Sequence, residues 1–338
     1  MYYISTRKTK IIFYVQGAIL FLFEFNLVGA VAIYPGGVMI SIKKIQEYQL
    51  KRLIKKAFVK IFKQRNLIDD EGDSPKLLNV NFEEYGIIVY IDLKGVCSYS
   101  ELEKELEYIQ TVFKAYEVNL RVIEGICKIS IYTDNLEPKS YYKQFLEPYE
   151  CLLGFNYEGN IIADMRITPH ILITGLSGQG KTEMAKTVIR NLQGKADIIL
   201  LNAFKSDFKA YKGRFIIREV NILLFLKSTL ESKIKRSRPM YIIIDELLVL
   251  TKNKEISKCI TDLLAIARHY NIFLIGISQE GTKEQLKFKS LFNTRVCFRL
   301  LEESSYRTVL GCSVEGELKK QEFYLYSNGL YKGRTFDN

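Results

Sequence analysis

The feature that most constrains the fold of this chain is a glycine-rich segment, Gly175-Leu176-Ser177-Gly178-Gln179-Gly180-Lys181-Thr182. It fits the pattern G-x-x-x-x-G-K-[ST] at every defined position. The apolar residues 171–174 precede it and predict a strand, and residues 181–192 follow with a helical pattern. Glycines let successive backbone N–H groups turn toward one point, and the start of a helix adds positive potential there. The segment therefore predicts a phosphate-binding loop between a strand and a helix.

Two side chains at the end of this loop carry specific chemistry. Lys181 is expected to reach the β- and γ-phosphates of ATP, and Thr182 is expected to ligate Mg²⁺. The backbone from Gly175 to Lys181 would cradle the phosphates. The sequence therefore predicts ATP and Mg²⁺ as cofactors.

An acidic pair follows a second apolar strand. Residues 240–244 (MYIII) read as a buried parallel strand, and Asp245-Glu246 come directly after it. Acids at the carboxyl end of such a strand are expected beside the phosphate loop. Asp245 would hold the Mg²⁺ shell, and Glu246 would orient or deprotonate the attacking water. This arrangement is typical of an ATPase rather than a small-molecule kinase.

A third strand, residues 272–277, leads to Gln279, whose side chain could sense the γ-phosphate and relay its loss. Arg268 lies just before this strand, on a helix predicted at 255–269. An arginine at a subunit edge can act on the site of a neighbouring subunit, although Arg268 alone could equally be a surface residue. Strands alternate with helices from about 165 to 300, which predicts an α/β fold with a mostly parallel, doubly wound sheet.

Residues 76–140 predict a small α+β module. A strand at 87–93 is followed by a helix at about 101–116, for which Ser100 is a suitable N-cap. Two more strands near 118–124 and 126–132 complete a β-β-α-β-β order. The module contains no catalytic constellation, so we expect a scaffold or an oligomer contact.

The N-terminal residues 1–40 allow two interpretations. Residues 11–34 are strongly apolar, and their length suits one membrane-spanning helix between flanking basic residues. However, Glu24 lies inside the run, and a carboxylate in mid-bilayer costs about 3 kcal/mol. Alternatively, translation begins at Met39, directly after Gly36-Gly37-Val38, and the protein lacks the apolar run. Detection of a mature N-terminus at Met39 would remove the anchor.

Segment 41–75 predicts a basic amphipathic helix at 42–65, followed by an acidic linker at 69–75. Nine Lys/Arg residues face a single acid, Glu47. Either this helix contacts anionic lipid or DNA, or it docks on a core and leaves its basic face in solvent.

The charge of the whole chain agrees with a polyanionic partner. The 338 residues carry 49 Lys+Arg against 38 Asp+Glu, a net charge of +11, which suggests nucleic acid or an anionic membrane surface. With 48% hydrophobic residues the chain buries a core, which excludes a disordered protein, a collagen-like fibre and a small disulfide scaffold. The six cysteines show no CxxC pairing and are expected to be reduced, and two histidines argue against a histidine-based metal site.

Residues 152–182 (LLGFNYEGNIIADMRITPHILITGLSGQGKT) resemble the FtsK/SpoIIIE-type DNA translocases of the HerA/FtsK P-loop ATPases. The matching positions are Gly154, Asp164 and Pro169-His170-Ile171-Leu172-Ile173. Residues 267–279 and 292–299 resemble later motifs of the family. On this resemblance, Arg268 matches a finger-type arginine, Gln279 matches a sensor glutamine, and His170 is a structural signature. The resemblance covers about residues 76–335. It departs from the family pattern at Asn271, where the family commonly has glycine, and at Glu280-Gly281, where the family often has Arg-Pro.

The resemblance implies a RecA-like motor at 141–338 that forms a homohexameric ring and moves single- or double-stranded DNA by ATP hydrolysis. It is most similar to the coupling ATPases of Gram-positive conjugative elements, which implies relaxosome or transfer-channel partners and a cytoplasmic motor at the inner face of the cell membrane. DNA would be contacted through its phosphates, because a motor must tolerate every sequence. Candidate contacts, each of which could instead be an ordinary solvated lysine, are Lys205, Lys209, Lys212, Lys283, Lys287 and Lys289.

Two other functions use the same core. One is a protein-secretion ATPase, which tandem ATPase domains or forkhead-type modules would favour. The other is a non-motor nucleotide switch or DNA-binding adaptor, against which Glu246 and Gln279 argue.

Overall fold

A computed structural model gives the fold of the chain. It describes residues 39–279, 288–314 and 318–338, together with the short strands β1 (Tyr14–Val15), β2 (Ala18–Ile19) and β3 (Val31–Ile33). Most of the predicted anchor lies outside these residues, as do Lys283 and Lys287. In the described part, no helix combines the length and apolar character needed to cross a bilayer. The chain divides into two compact units, Met1–Leu136 and Glu137–Asn338.

The first unit contains a four-stranded antiparallel sheet with strand order β5-β6-β8-β7. Its elements after β3 are β4 (Met39–Ser41), α1 (Ile42–Gln64), β5 (Lys76–Glu83), β6 (Gly86–Asp92), α2 (Tyr99–Lys104), α3 (Leu106–Phe113), β7 (Glu117–Ile123) and β8 (Ile126–Tyr132). Between β6 and β7 the chain forms two helices, so the order from β5 onward is β-β-α-α-β-β, against the expected β-β-α-β-β.

Helix α1 belongs to the core of this unit. Its apolar side chains Ile54, Phe58, Ile61 and Phe62 are buried in one cluster with side chains of the sheet and of α3. Phe58 contacts Phe113 of α3, with ring centroids 5.5 Å apart. Helix α1 is therefore docked on a core by its apolar side, and its basic face is turned to solvent.

The start of the next helix differs from the prediction. The N-cap of α2 is Ser98 rather than Ser100, because Glu101 completes a capping box with Ser98. The Ser98 hydroxyl accepts from the Glu101 N–H at 3.2 Å, and the Glu101 carboxylate accepts from the Ser98 N–H at 2.7 Å. The single helix predicted at 101–116 is interrupted at Glu105, which accepts a hydrogen bond from Arg65 at 2.5 Å.

The second unit is organised around a ten-stranded sheet in the described part of the chain, with order β10-β9-β18-β17-β16-β11-β15-β14-β12-β13. Its strands are β9 (Glu150–Asn156), β10 (Gly159–Asp164), β11 (Ile171–Thr174), β12 (Asp197–Leu201), β13 (Arg214–Ile216), β14 (Met240–Ile244), β15 (Ile272–Ser278), β16 (Thr294–Cys297), β17 (Glu322–Tyr326) and β18 (Leu330–Arg334). Its helices are α4 (Lys181–Leu192), α5 (Glu219–Ser232), α6 (Leu247–Leu250), α7 (Lys254–Ile266) and α8 (Glu303–Leu310), with 3₁₀ turns at Ala267–Tyr270 and Lys289–Leu291.

Six of these strands, from β16 to β13, run parallel and are covered on both faces. Consecutive residues of β11 therefore enter different cores. Leu172 packs with α5 and α7, whereas Ile171 and Ile173 pack with α4. Burial on both faces explains why these strands read as continuous apolar runs. The predicted mostly parallel, doubly wound α/β fold is confirmed, and the antiparallel strands β17, β18, β9 and β10 extend it on one side.

Candidate functional site

The glycine-rich segment forms a tight loop between β11 and α4. Gly175, Gly178 and Gly180 have φ angles of 146°, 74° and 121°, a region that favours glycine. A Cβ on Gly175 would lie 2.5 Å from the Cβ of Phe298, so the backbone must pass directly over that side chain. A Cβ on Gly178 would meet no atom within 4 Å. The loop is thus closely packed against Phe298 at Gly175 and open at Gly178, as the binding of an anion by its backbone requires.

Backbone hydrogen bonds fix the loop to its neighbours. The Leu176 N–H donates to the Arg299 carbonyl, and the Gln321 N–H donates to the Gln179 carbonyl, both at 2.9 Å. Arg299 directly follows Phe298 at the end of the neighbouring strand β16, so its side chain begins beside the loop. Neither Arg299 nor Gln321 was predicted, because a backbone contact leaves no motif in the sequence.

Lys181 is buried at the start of α4. Its ammonium donates to the carbonyls of Gly175 at 2.7 Å and Leu176 at 2.9 Å. Burial lowers the pKa of Lys181, while the charges of Glu246 and Asp245 act in the opposite direction. The lysine therefore lies back on its own loop, within the field of both predicted acids.

Asp245 and Glu246 occupy a sharp turn after β14. Glu246 has a φ angle of 50°, and its N–H donates to Asp245 Oδ1 at 3.1 Å. The side-chain amide of Asn202 donates to the Asp245 carbonyl at 3.1 Å. Burial, followed by the charge of Glu246, raises the pKa of Asp245 to about 6. A carboxylate held in this way favours a nearby cation.

A glycine in the intervening strand makes room for this turn. Strand β15 lies between β11 and β14, and Gly276 is in register with Ile244, the last residue of β14. A Cβ on Gly276 would lie 2.7 Å from Cδ2 of Leu247, the residue after Glu246. The close approach of Leu247 to β15 therefore depends on glycine at 276.

Gln279 meets the acidic pair directly. It follows β15, and its side-chain amide donates to Oε1 of Glu246. The residue predicted as a sensor and the residue predicted to activate water are thus hydrogen-bonded to each other. The phosphate loop, the acidic pair and Gln279 all lie at the carboxyl edge of the parallel strands.

Arg268 lies at the opposite edge. It is exposed on the 3₁₀ turn Ala267–Tyr270, before the first residue of β15, whereas Gln279 follows the last. Seven strand residues separate these two edges by about 23 Å. Arg268 is therefore not brought to the phosphate loop of its own chain.

His170 is buried under the sheet, where its Nδ1 accepts from the Leu274 N–H at 3.0 Å. Burial lowers its pKa to about 4, so the ring is neutral near pH 7. This geometry agrees with a structural position just before β11.

The candidate DNA-contact lysines differ in their surroundings. Lys205, Lys209 and Lys212 are exposed on the segment 202–213, which leaves the carboxyl end of β12. The charge of Asp207, in the same segment, contributes to the raised pKa of Asp245, so this segment lies within electrostatic range of the acidic pair. Lys289 donates instead to the Thr308 carbonyl near the end of α8.

Solved structures share this fold. No family model and no curated protein matches the chain. The pCW3 conjugation coupling protein TcpA, in its monomer form with ATPγS, matches with a TM-score of 0.55 and 16% identity over 83% of this chain and 94% of its own. ATPases 2 and 3 of Thermomonospora curvata EccC, in complex with a signal sequence peptide, match with a TM-score of 0.50 and 10% identity over 77% of this chain and 53% of that one. The predicted resemblance to FtsK-type ATPases is confirmed at the level of the fold.

The raised pKa of Asp245 predicts a pH-dependent stability. Its pKa is about 6 in the folded protein against an ordinary value of 3.8, so ionisation costs the fold on the order of 2–3 kcal/mol above pH 6. This cost declines as the pH falls below 6 and disappears below about pH 4, where the folded and unfolded groups are both protonated. We expect Asp245→Asn to raise the melting temperature of the nucleotide-free protein at pH 8, to raise it by about half as much near pH 5, and to have little effect near pH 3.5.

Asp262→Asn is the control, because Asp262 is an acid of the same unit on the surface of α7, away from the acidic turn. Thermal melts of both variants between about pH 3.5 and pH 8 measure the difference. A stabilisation by Asp245→Asn that does not change with pH would contradict the assignment.

Proposed function

We propose that the chain is an ATP-hydrolysing motor of the FtsK type. The observation that carries this proposal is the carboxylate of Glu246, hydrogen-bonded to Gln279 at the same sheet edge as Lys181 and the phosphate loop. A switch that only binds ATP needs the loop and its lysine. A carboxylate next to the cation-binding acid is needed to orient and deprotonate water.

The backbone and the side chains of the loop would make different contacts to ATP. The backbone from Gly175 to Gly180 would hold the phosphates, and Lys181 would exchange its two loop carbonyls for phosphate oxygens. Mg²⁺ fits the site, because the partly buried Asp245 carboxylate lacks full solvation and Thr182, the second residue of α4, offers a hydroxyl beside Lys181. Bound by these two side chains, Mg²⁺ would neutralise phosphate charge during hydrolysis.

Gln279 would work through Glu246. Its amide occupies one carboxylate oxygen of Glu246, so Glu246 is restrained in this structure. A γ-phosphate that drew the Gln279 amide to itself would leave that oxygen available to a water proton. Loss of the phosphate after hydrolysis would restore the contact, which gives Gln279 the sensing role predicted from the sequence.

The hydrolysis proposal predicts two different defects. Lys181→Ala should abolish ATP turnover and weaken ATP binding, because the phosphates lose their cation. Glu246→Gln should reduce turnover by about 10²- to 10⁴-fold and retain bound ATP, because binding groups remain while the base is removed. Steady-state ATPase rates and nucleotide retention after gel filtration measure both.

Lys254→Ala, an exposed lysine of the same unit, is the control and should behave as wild type. Normal ATP binding without measurable hydrolysis in the wild-type chain would favour the nucleotide-switch alternative.

DNA is the proposed substrate of the motor. The exposed lysines of segment 202–213 belong to the same segment as Asp207, whose charge acts on Asp245, so a polyanion bound there lies close to the nucleotide site. The net charge of +11 supports the same partner. The similarity to TcpA, a conjugation coupling protein, supports DNA transfer with relaxosome or transfer-channel proteins. In that role the motor would work in the cytoplasm, and the apolar N-terminal run would hold it at the cell membrane.

Simultaneous Lys→Gln substitution at Lys205, Lys209 and Lys212 should reduce the DNA-stimulated part of ATP turnover and leave the DNA-free rate unchanged. The salt dependence of duplex binding should also become shallower, by about 0.9 in log–log slope for each phosphate that the variant no longer neutralises. Fluorescence anisotropy with labelled single- and double-stranded DNA over a salt series measures the slope.

The matched control replaces three lysines on and before α7, Lys252, Lys254 and Lys258. An equal effect of both triple variants would mean that general charge, and not this segment, attracts DNA. If DNA leaves turnover unchanged at low and high salt while a signal-sequence peptide stimulates it, the secretion-ATPase alternative applies, as the similarity to the peptide-bound EccC structure would then suggest.

The proposed oligomer is a homohexameric ring. In this ring, Arg268 of each subunit would act at the nucleotide site of the neighbouring subunit. Arg268 lies about 23 Å from the edge that holds its own phosphate loop, so it can approach a γ-phosphate only in another subunit. A ring of head-to-tail contacts repeats one such interface at every subunit.

Mixing of two inactive variants tests this trans contact. Arg268→Ala and Lys181→Ala should each lose ATP turnover, and an equal mixture should regain roughly a quarter of the wild-type activity, because that share of interfaces pairs an intact loop with an intact arginine. A mixture of Lys181→Ala with the double variant is the control and should remain inactive. If the first mixture also stays inactive, Arg268 does not act in trans.

A further inference from the structure

The outward face of α1 carries a basic stripe that the nucleotide site does not use. Arg52, Lys56 and Lys63 are spaced at i, i+4 and i+11, which places them on the side of the helix opposite the buried residues Ile54 and Phe58. All three are exposed, as is Lys55 beside them. The stripe extends over about 16 Å of helix.

The charge of this face is almost entirely of one sign. The only acid within α1 is Glu47, which forms an ion pair with Lys51 at 3.1 Å on the flank of the helix. Arg65, just beyond the helix, is paired with Glu105. The four exposed basic residues therefore present their charge to solvent along one side of the first unit.

Large apolar side chains are exposed between these cations. Tyr48 is 70% exposed, and Val59 and Leu53 are 39% and 37% exposed. Tyr48 and Val59 lie at i−4 and i+7 relative to Arg52, on the same face of the helix. Cations mixed with an aromatic ring and branched aliphatic groups are suited to a surface that is both anionic and apolar, which a phospholipid headgroup layer offers and a DNA backbone does not.

The sequence places this face next to the apolar run. Seven residues, 35–41, lie between the apolar run 11–34 and the first residue of α1, and an extended chain of that length spans less than about 30 Å. The apolar side of α1 itself is buried in the core, so α1 cannot insert into a bilayer by that side. Any contact with a membrane must use the exposed basic face.

We propose that the outward face of α1, formed by Arg52, Lys55, Lys56 and Lys63 with Tyr48 and Val59, is a docking surface for anionic phospholipid headgroups. The face orients the first unit against the membrane through electrostatic contact and shallow insertion of its apolar side chains. It does so without contributing a residue to the nucleotide site.

Binding of the full chain to vesicles tests the proposal. The wild type should prefer phosphatidylcholine vesicles that contain phosphatidylglycerol over pure phosphatidylcholine vesicles, and the preference should fall with salt. In the combined variant Arg52→Gln, Lys55→Gln, Lys56→Gln and Lys63→Gln, the ratio of binding to the two vesicle types should fall at least about tenfold. The reason is that each cation near an anionic membrane contributes roughly fivefold to binding. The wild type and the variant share the apolar N-terminal run and its flanking basic residues, so the difference between their ratios measures the contribution of α1 alone.

The matched control replaces one arginine and three lysines elsewhere on the same unit, Lys76, Lys94, Lys104 and Arg121, by Gln. It has the same net charge as the α1 variant and should keep the wild-type preference, and thermal melts should show that both variants fold. Equal losses in both variants, or no loss in the α1 variant, would overturn the proposal. It would also be overturned if the α1 variant lost affinity for a DNA duplex and kept its vesicle binding, because the face would then be a nucleic-acid surface.

Discussion

The hydrogen-bonded register of three parallel strands determines where the candidate site of the second unit is assembled. Pairing of Thr174 with Ser278 and of Ile244 with Gly276 aligns the carboxyl ends of β11, β15 and β14 at one edge. The phosphate loop, the acidic turn and Gln279 each follow one of these ends, so the register alone assembles them. The same register places Arg268 at the far edge, since it precedes the strand that Gln279 follows. One geometric constraint thus gathers the phosphate loop, the acidic pair and Gln279 at one edge and keeps Arg268 at the other.

The electrostatics of this edge are unbalanced without a ligand. Burial lowers the pKa of Lys181 and raises that of Asp245, so each charged form is disfavoured by its surroundings. Each group instead uses hydrogen bonds that a ligand can replace: loop carbonyls for Lys181 and a backbone N–H for Asp245. Phosphate oxygens near the lysine and a divalent cation near the carboxylate would relieve both penalties at once. Binding free energy is therefore available from groups that the fold has already desolvated.

The meeting of the phosphate loop, the acidic pair and Gln279 at one sheet edge could be predicted from the sequence because each of these parts leaves a local signal. Buried parallel strands appear as uninterrupted apolar runs, the loop needs glycine where φ is positive, and the acids follow a strand directly. The four antiparallel strands of the sheet gave weaker sequence signals. The hydrogen bonds of Arg299 and Gln321 to the loop are made by backbone atoms, which leave no side-chain pattern. The choice of Ser98 over Ser100 as the N-cap depended on which serine has a glutamate positioned to complete the capping box. Gly276 gave no signal on its own, because its reason, the approach of Leu247, is a contact between distant segments.

Helix α1 shows how burial of one face restricts the function of the other. An isolated basic amphipathic helix can bind a membrane by inserting its apolar side, and the sequence pattern alone allows this. Here Ile54, Phe58, Ile61 and Phe62 complete the core of the first unit, so that side is no longer available. What remains is a set of cations, with a few apolar side chains between them, on a folded surface, which favours a reversible, salt-sensitive contact over deep insertion of the helix. The positive charge proposed to contact lipid therefore lies on a helix that is itself part of the core of the first unit.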